Sequence, residues 1–345
     1  MNNATIKSDI VLAGSVSSSR RILEGLLRHG MNVRGVLGLA ASHSVGVSGY
    51  CRLDDVAASS DIPYWDFTNI NDANVLRVVQ SLSPDLLFVV GLSQLVKSDL
   101  LAVPVIGCIG FHPTWLPEGR GRAALAWLTL NSRSGAATFF LMKDGADDGP
   151  ILAQQPFSVT NEDYASDVLR KIEAAIDVAL DQWLPALKTG KWEPIAQDDS
   201  LTTYNGVRKP EDGLIDWYSS AEDIHALIRA TSRPHPGAYT YLHNGKLIVW
   251  RAKLETRLRI QGVIGRVLLV DQSKGALVQT GHGLLWLTET ELAGAAECSR
   301  FPLRVGVRLG YSPEDEIFVL KSRVDRLEEQ VARLLASLGG SNCKR

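Results

Sequence analysis

From Asp9 to Phe111, short apolar runs alternate with amphipathic stretches, a rhythm that few architectures accept. It calls for helices covering both faces of a mostly parallel, Rossmann-like sheet, hence an α/β fold. The first strand is expected at about Asp9 to Ala13, followed by Gly14 and a serine-rich helix start. The helix then runs from about Ser19 to His29, with Ile22, Leu23, Leu26 and Leu27 on one face and Gly30 as its stop. A strand near Asn32 to Leu37, a helix near Leu53 to Ala58, a strand around Ile62 to Trp65 and a helix from Asp72 to Leu82 continue the pattern. Leu86 to Val90 is apolar at every position, as a central parallel strand is. Strands near Ile106 to Phe111 and Ala136 to Met142 bracket a helix near Ala123 to Leu130; an extended segment from Ile151 to Val159 and a helix from about Tyr164 to Leu187 follow.

Beyond Gly190 the rhythm changes to short strands with turns between them, at Ala238 to Leu242, Leu247 to Ala252, Gly262 to Asp271, Ala276 to Thr280 and Gly283 to Glu289. His243-Asn244-Gly245 is a hairpin signal, and a small OB-like β-barrel is expected. A C-terminal helix comes last. In it Ile317, Leu320, Val324, Leu327, Val331, Leu334 and Leu338 step by three and four residues, a heptad seam. Valine mostly at a and leucine mostly at d favour a parallel two-stranded coil, in which Arg323 at g faces Glu328 at e of a second copy. The alternative is an amphipathic helix folded onto its own barrel. Residues 1–203, 204–312 and 313–339 are the three units expected, and 345 residues exceed the roughly 250 that one core usually supports.

Acidic and basic residues number 38 and 36, so the net charge of −2 offers no bulk attraction for nucleic acid. The 4 cysteines stand far apart with no Cys-x-x-Cys pair, which suits free thiols, a reducing cytoplasm and no structural zinc site. No targeting or membrane segment is expected, and the turn from Gly14 to Ser19 lacks the Gly-x-Gly-x-x-Gly of a dinucleotide site.

Two loops that follow strands concentrate chemistry. Gly110-Phe-His-Pro-Thr-Trp-Leu-Pro-Glu-Gly-Arg-Gly-Arg122 holds His112 at the start of a path stiffened by prolines and carries Arg120 and Arg122. Met142-Lys-Asp-Gly-Ala-Asp-Asp-Gly-Pro150 gathers three carboxylates among glycines. Each has a bland reading, a satisfied histidine and a solvated turn. On adjacent strand ends they would instead form an acid–base pair, the carboxylate orienting the ring.

His112-Pro-x-x-Leu-Pro117, Arg120-Gly-Arg122 and Asp144-Gly-Ala-Asp-x-Gly149 together resemble the folate-dependent formyltransferases, a family that includes methionyl-tRNA formyltransferase and the sugar-nucleotide N-formyltransferases. Arg208-Lys-Pro-Glu-Asp-Gly-Leu-Ile-Asp-Trp217 and Ile228-Arg-Ala-x-x-Arg-Pro-x-Pro-Gly-Ala-Tyr239 are similar to the start of that family's barrel domain, and most like the amino-arabinose enzyme of lipid A modification. The resemblance implies transfer of the formyl group of 10-formyltetrahydrofolate to a primary amine through a tetrahedral intermediate, with no metal. It gives His112 an oxyanion- or proton-handling role, with Asp147 keeping the imidazole charged and oriented. It places folate on Gln94, Leu95, Val96, Arg122 and the loop Lys143, Asp144, Gly145, Ala146 and Asp147. Thr114 and Arg120 are expected on the acceptor, although a buried clamp is an equal use for an arginine fork.

Family members commonly carry an asparagine two residues before the histidine, where this chain has Gly110. Loss of such an oxyanion donor costs about 2.7–4 kcal/mol. Either another donor replaces it or the activity has weakened, leaving a folate- or sugar-binding descendant. For the acceptor, Gly38 to Ala58 holds one arginine, two aspartates and no lysine, too little positive charge for the acceptor stem of a tRNA. A nucleotide-linked amino sugar, as in glycan biosynthesis, is expected over methionyl-tRNA.

Overall fold

A computed structural model describes residues 8–242, 245–294, 303–311 and 313–339. In the first part, β1 (Asp9–Gly14), α1 (Ser17–Arg28), β2 (Asn32–Leu39), α2 (Asp54–Ser59), β3 (Tyr64–Phe67), α3 (Ala73–Leu82), β4 (Leu86–Val90), α4 (Ser98–Leu101) and β5 (Gly107–His112) alternate as expected. They are followed by β6 (Arg120–Gly121), α5 (Ala124–Leu130), β7 (Gly135–Leu141), β8 (Ile151–Phe157) and the 24-residue α6 (Ala165–Lys188).

Seven strands form one sheet in the order β3-β2-β1-β4-β5-β7-β8. β1 through β5 are parallel, and β7 and β8 run antiparallel at one edge. Side chains alternate across the sheet with period two. Ile10, Leu12, Leu86, Phe88 and Val90 face the layer of α1 and α6, where they meet Ile22, Leu26, Ile176 and Leu180. Val11, Ala13, Leu87 and Val89 face the other layer, against Val75 and Val79 of α3 and Leu100 of α4. The chain leaves β1 toward β2 and β3, then returns to place β4 on its other side. This reversal opens a crevice at the carboxyl ends of the parallel strands.

After β9 (Tyr204–Asn205), which pairs with β6, come α7 (Ala221–Thr231) and the strands β10 (Ala238–Leu242), β11 (Gly245–Glu255), β12 (Val267–Asp271), β13 (Gly275–Gln279) and β14 (Leu284–Leu292). These five make an antiparallel sheet in the order β10-β11-β14-β13-β12, a partly open arrangement whose two edge strands are not bonded to each other. α7 is a helix that the reading of this region as short strands and turns does not place. Its Ser220 cap accepts the Asp223 amide at 3.0 Å, and Ile224 and Ile228 pack with Val249, Leu285 and Leu287.

The two sheets are joined by side chains. The Tyr164 hydroxyl donates to the Ala252 carbonyl at 2.9 Å, and the Arg229 guanidinium donates to the carbonyls of Thr129 (3.3 Å) and Asp163 (2.9 Å). The last element is α8 (Pro313–Gly339). The hairpin turn at His243-Asn244, and Cys298 and Cys343, lie outside the described residues.

Candidate active site

β5 ends at His112, and the antiparallel register sets His112 opposite Thr138 and Gly110 opposite Phe140 on β7. β7 then runs into the acidic loop. The two loops therefore leave neighbouring strands, and they do meet. His112 Nδ1 lies 3.5 Å from Asp147 Oδ2, and its Nε2 lies 2.8 Å from the Gly119 carbonyl oxygen. Both ring nitrogens face acceptors, so a doubly protonated ring would serve both. The ring is 7% exposed, shielded enough for these contacts to fix its orientation.

The Gly119 carbonyl also lies 3.4 Å from the Thr114 hydroxyl and 3.4 Å from the Asn205 amide. Asp147 Oδ2 accepts the Gly121 amide at 2.8 Å, which holds the carboxylate toward the histidine. The turn at 119 needs glycine, since φ there is +74° and a Cβ would lie 3.1 Å from both Thr114 and Asn205. Asp147 itself sits at φ 54°, in the left-handed region that aspartate tolerates better than most residues.

Arg120 is 3% exposed. Its Nε and Nη2 donate to Gln197 Oε1 at 3.1 and 2.8 Å, and Nη2 reaches Asp199 at 2.9 Å. Gln197 in turn donates through Nε2 to the carbonyls of Asp147 (2.8 Å) and Gly149 (2.7 Å). The arginine expected on the acceptor is thus occupied as an internal clamp, tying the loop after β5 to the segment after α6. Thr114 is equally buried, its carbonyl accepting the Thr138 hydroxyl at 2.7 Å. Neither side chain is presented to solvent. Arg122 is exposed and makes no ion pair among the described residues.

The residues expected on folate lie beyond the ends of β4 and β7. Val96 and Met142 belong to the same apolar cluster, on the face of the sheet that α3 and α4 cover. Val96 is buried there, Leu95 is exposed, and the Gln94 side chain is turned away, accepting the Ile70 amide at 2.6 Å and donating to the Thr68 carbonyl at 2.9 Å. Lys143, Asp144, Gly145 and Ala146 are exposed. Among the described residues the backbone amides from Lys143 to Asp148 donate to no acceptor in the chain, and the buried Asp148 Oδ1 has no partner. Unused backbone donors and an unused buried acceptor in one exposed loop leave it able to hydrogen-bond the polar edge of a ligand. Sequence reading missed Gln197, Thr203, whose hydroxyl accepts the Gly119 amide at 2.8 Å, and Asn205.

Gly110 is explained by its neighbour. A Cβ built there would lie 2.5 Å from Phe140 Cζ, so the phenyl ring occupies the volume that a longer side chain would enter. Cys108, two residues earlier, is sealed in the core, and burial pushes its thiol up to about 12. It is no nucleophile. Among the described residues no cluster of His, Cys, Asp or Glu could hold a metal ion.

The site is thus a histidine at the carboxyl end of β5 in a doubly wound α/β domain, met by a carboxylate from the loop that follows the antiparallel β7, an arrangement chemically suited to moving or holding a proton. Residues 8–182 match the formyl transferase domain and residues 208–300 the formyl transferase C-terminal domain, and the chain belongs to that family, as its motifs imply. It is 30% identical over 233 residues to the bifunctional polymyxin resistance protein ArnA of Wigglesworthia glossinidia brevipalpis, covering 67% of this chain and 36% of that one. The chain thus spans little more than a third of that relative. In fold it is similar to HypX from Aquifex aeolicus in complex with tetrahydrofolic acid (TM-score 0.60, 16% identity, 89% of this chain and 51% of the other). It is also similar to the N-formyltransferase from Helicobacter canadensis in complex with folinic acid and dTDP-3-aminofucose (TM-score 0.58, 16% identity, 81% and 98%).

Proposed function

We propose that the chain transfers a formyl group to the amine of a nucleotide-linked amino sugar. The observation that carries this is the His112–Asp147 pair, 3.5 Å apart at the strand ends of a formyl transferase chain. When bound, 10-formyltetrahydrofolate supplies the formyl carbon. His112 moves its Nε2 hydrogen bond from the Gly119 carbonyl to the oxygen on which charge develops. Asp147, held by the Gly121 amide, keeps the ring oriented as it does so. Gln94, Leu95, Val96, Arg122 and the loop from Lys143 to Asp147 are proposed to hold the folate, with the unbonded amides of that loop as donors. Arg120 and Thr114 are proposed to act on the acceptor through the loop they brace.

The choice of a sugar nucleotide over tRNA is supported by the loop between β2 and α2. Its one arginine, Arg52, is neutralised by Asp54 at 2.9 Å and Asp66 at 3.5 Å, so this face offers no phosphate-binding charge. A cytoplasmic location is in keeping with Cys51 and Cys108, which are unpaired thiols. No described helix is long and apolar enough to cross a membrane.

Purified protein incubated with 10-formyltetrahydrofolate and a panel of dTDP-, UDP- and GDP-linked amino sugars should formylate one of them, read by mass spectrometry. Formylation of methionyl-tRNA alone would overturn the acceptor. The Phe140 ring over Gly110 favours a second reading, a descendant that binds folate and turns over slowly or not at all. Folate binding by calorimetry with no product on any amine would establish it.

A further inference from the structure

We infer that α8 joins two copies of this chain in a parallel, two-stranded coiled coil. The helix has 27 residues, about 40 Å at 1.5 Å per residue, and every side chain described on it is exposed. It is not folded onto either sheet. Leu320, Val324 and Leu327 keep 55%, 51% and 52% of their surface, side by side on one stripe. Helices in proteins draw most of their stability from packing such a stripe, so this one calls for a partner outside its own chain.

The sequence of the stripe specifies which partner. Ile317, Val324 and Val331 occupy a and Leu320, Leu327 and Leu334 occupy d, the β-branched and leucine placement that favours two parallel strands. The flanking charges then choose a second copy. In a parallel pair each g residue faces the e residue five positions later on the other strand. Glu316 meets Lys321, and Arg323 meets Glu328, both attractive and each occurring twice by symmetry. An antiparallel pair centred near Glu328 would instead bring the two Glu328 side chains together. Within one chain these four charges make no ion pair among the described residues; the helix's internal pair, Glu329 with Arg333 at 3.5 Å, lies at f and c on the outer face. The seam charges are left for the other strand.

The test is the mass of the full chain in solution, by light scattering after size exclusion and by sedimentation across micromolar concentrations. A dimer is expected, and V324K/L327K should halve the mass while leaving thermal unfolding of the two folded domains unchanged, because neither residue touches them. R323E should raise the dissociation constant roughly tenfold, and R323E/E328R should restore it. Under mild oxidation V324C should cross-link as a covalent dimer, with the native chain as control, since a positions meet across the axis only when the strands are parallel. A monomer throughout, a mass above the dimer, or a dimer unaltered in V324K/L327K would overturn the inference. So would V324C failing to cross-link within a dimer.

Discussion

Around His112 the polar side chains find partners within the chain, whereas the four charges that flank the α8 seam make no ion pair among the described residues. His112 bonds to Gly119, Asp147 to Gly121, Arg120 to Gln197, and Gln197 to the carbonyls of Asp147 and Gly149, with Arg120 and His112 almost wholly buried. On α8 Glu316, Lys321, Arg323 and Glu328 lie in solvent beside exposed leucines and valines. Charges packed inside a fold cost much to remove and set geometry; charges on an exposed seam cost little and set association. The proposed catalysis and the proposed assembly should therefore be separable by mutation.

The largest break is at the histidine. His112→Ala or Asp147→Asn should lower formyl transfer by about 10²–10⁴-fold with the fold intact, while V324K/L327K leaves the rate per chain unchanged. Steady-state rates on the accepted amine check both. A smaller effect belongs to Gly110→Asn, which forces a side chain into the Phe140 ring and should destabilise the first domain by about 1–3 kcal/mol in urea unfolding. Gly110→Asn/Phe140→Ala should recover part of that loss; a single variant as stable as the parent would show that the ring is not packed there.

Gln197→Ala tests the clamp. It strips the buried Arg120 of two hydrogen bonds and frees the carbonyls of Asp147 and Gly149, so a loss of about 1–3 kcal/mol and a fall in kcat larger than any rise in KM are expected. A further contrast is one of pH. Burial, with Arg208 nearby, pushes His235 down from its ordinary 6.5 to about 4, and its Nε2 has no partner. The unfolded chain therefore binds the extra proton first, so this contribution to stability is full above pH 6.5 and is lost as pH falls toward 4. Thermal unfolding between those limits should show a slope that His235→Phe reduces and V324K/L327K does not.

Much of the sheet is legible in the sequence because each strand carries its own pattern. Leu86 to Val90, apolar at every position, is the central strand β4, and Ile22, Leu23 and Leu26 mark the buried face of α1. The pairing of the two loops is legible only through motif resemblance, since no local pattern says that His112 and Asp147 approach each other. The clamp is less so: Arg120 and Gln197 are 77 positions apart, and nothing local marks the glutamine. Phe140 needed the β5–β7 register to be seen against Gly110. α7 could have been found from Ser220 with Asp223 three residues on, a capping signal ahead of Ile224, Leu227 and Ile228.

The short pairing of β6 with β9 bears on the order in which this chain acquires its structure. Gly119 takes its hydroxyl partner, Thr203, from 84 positions downstream, so this contact of the loop beside the histidine forms only once the connector after α6 has returned. The β1–β4 pairing spans 76 positions and is almost as long a closure, but it is made between buried apolar strands, whereas the loop is held by isolated hydrogen bonds, so the loop is expected to close later. Refolding followed by pulsed hydrogen exchange should protect the amides of β1 and β4 before those of Gly119, Arg120 and Gly121. On that outcome the loop beside His112 would be the last stretch of its domain to mature.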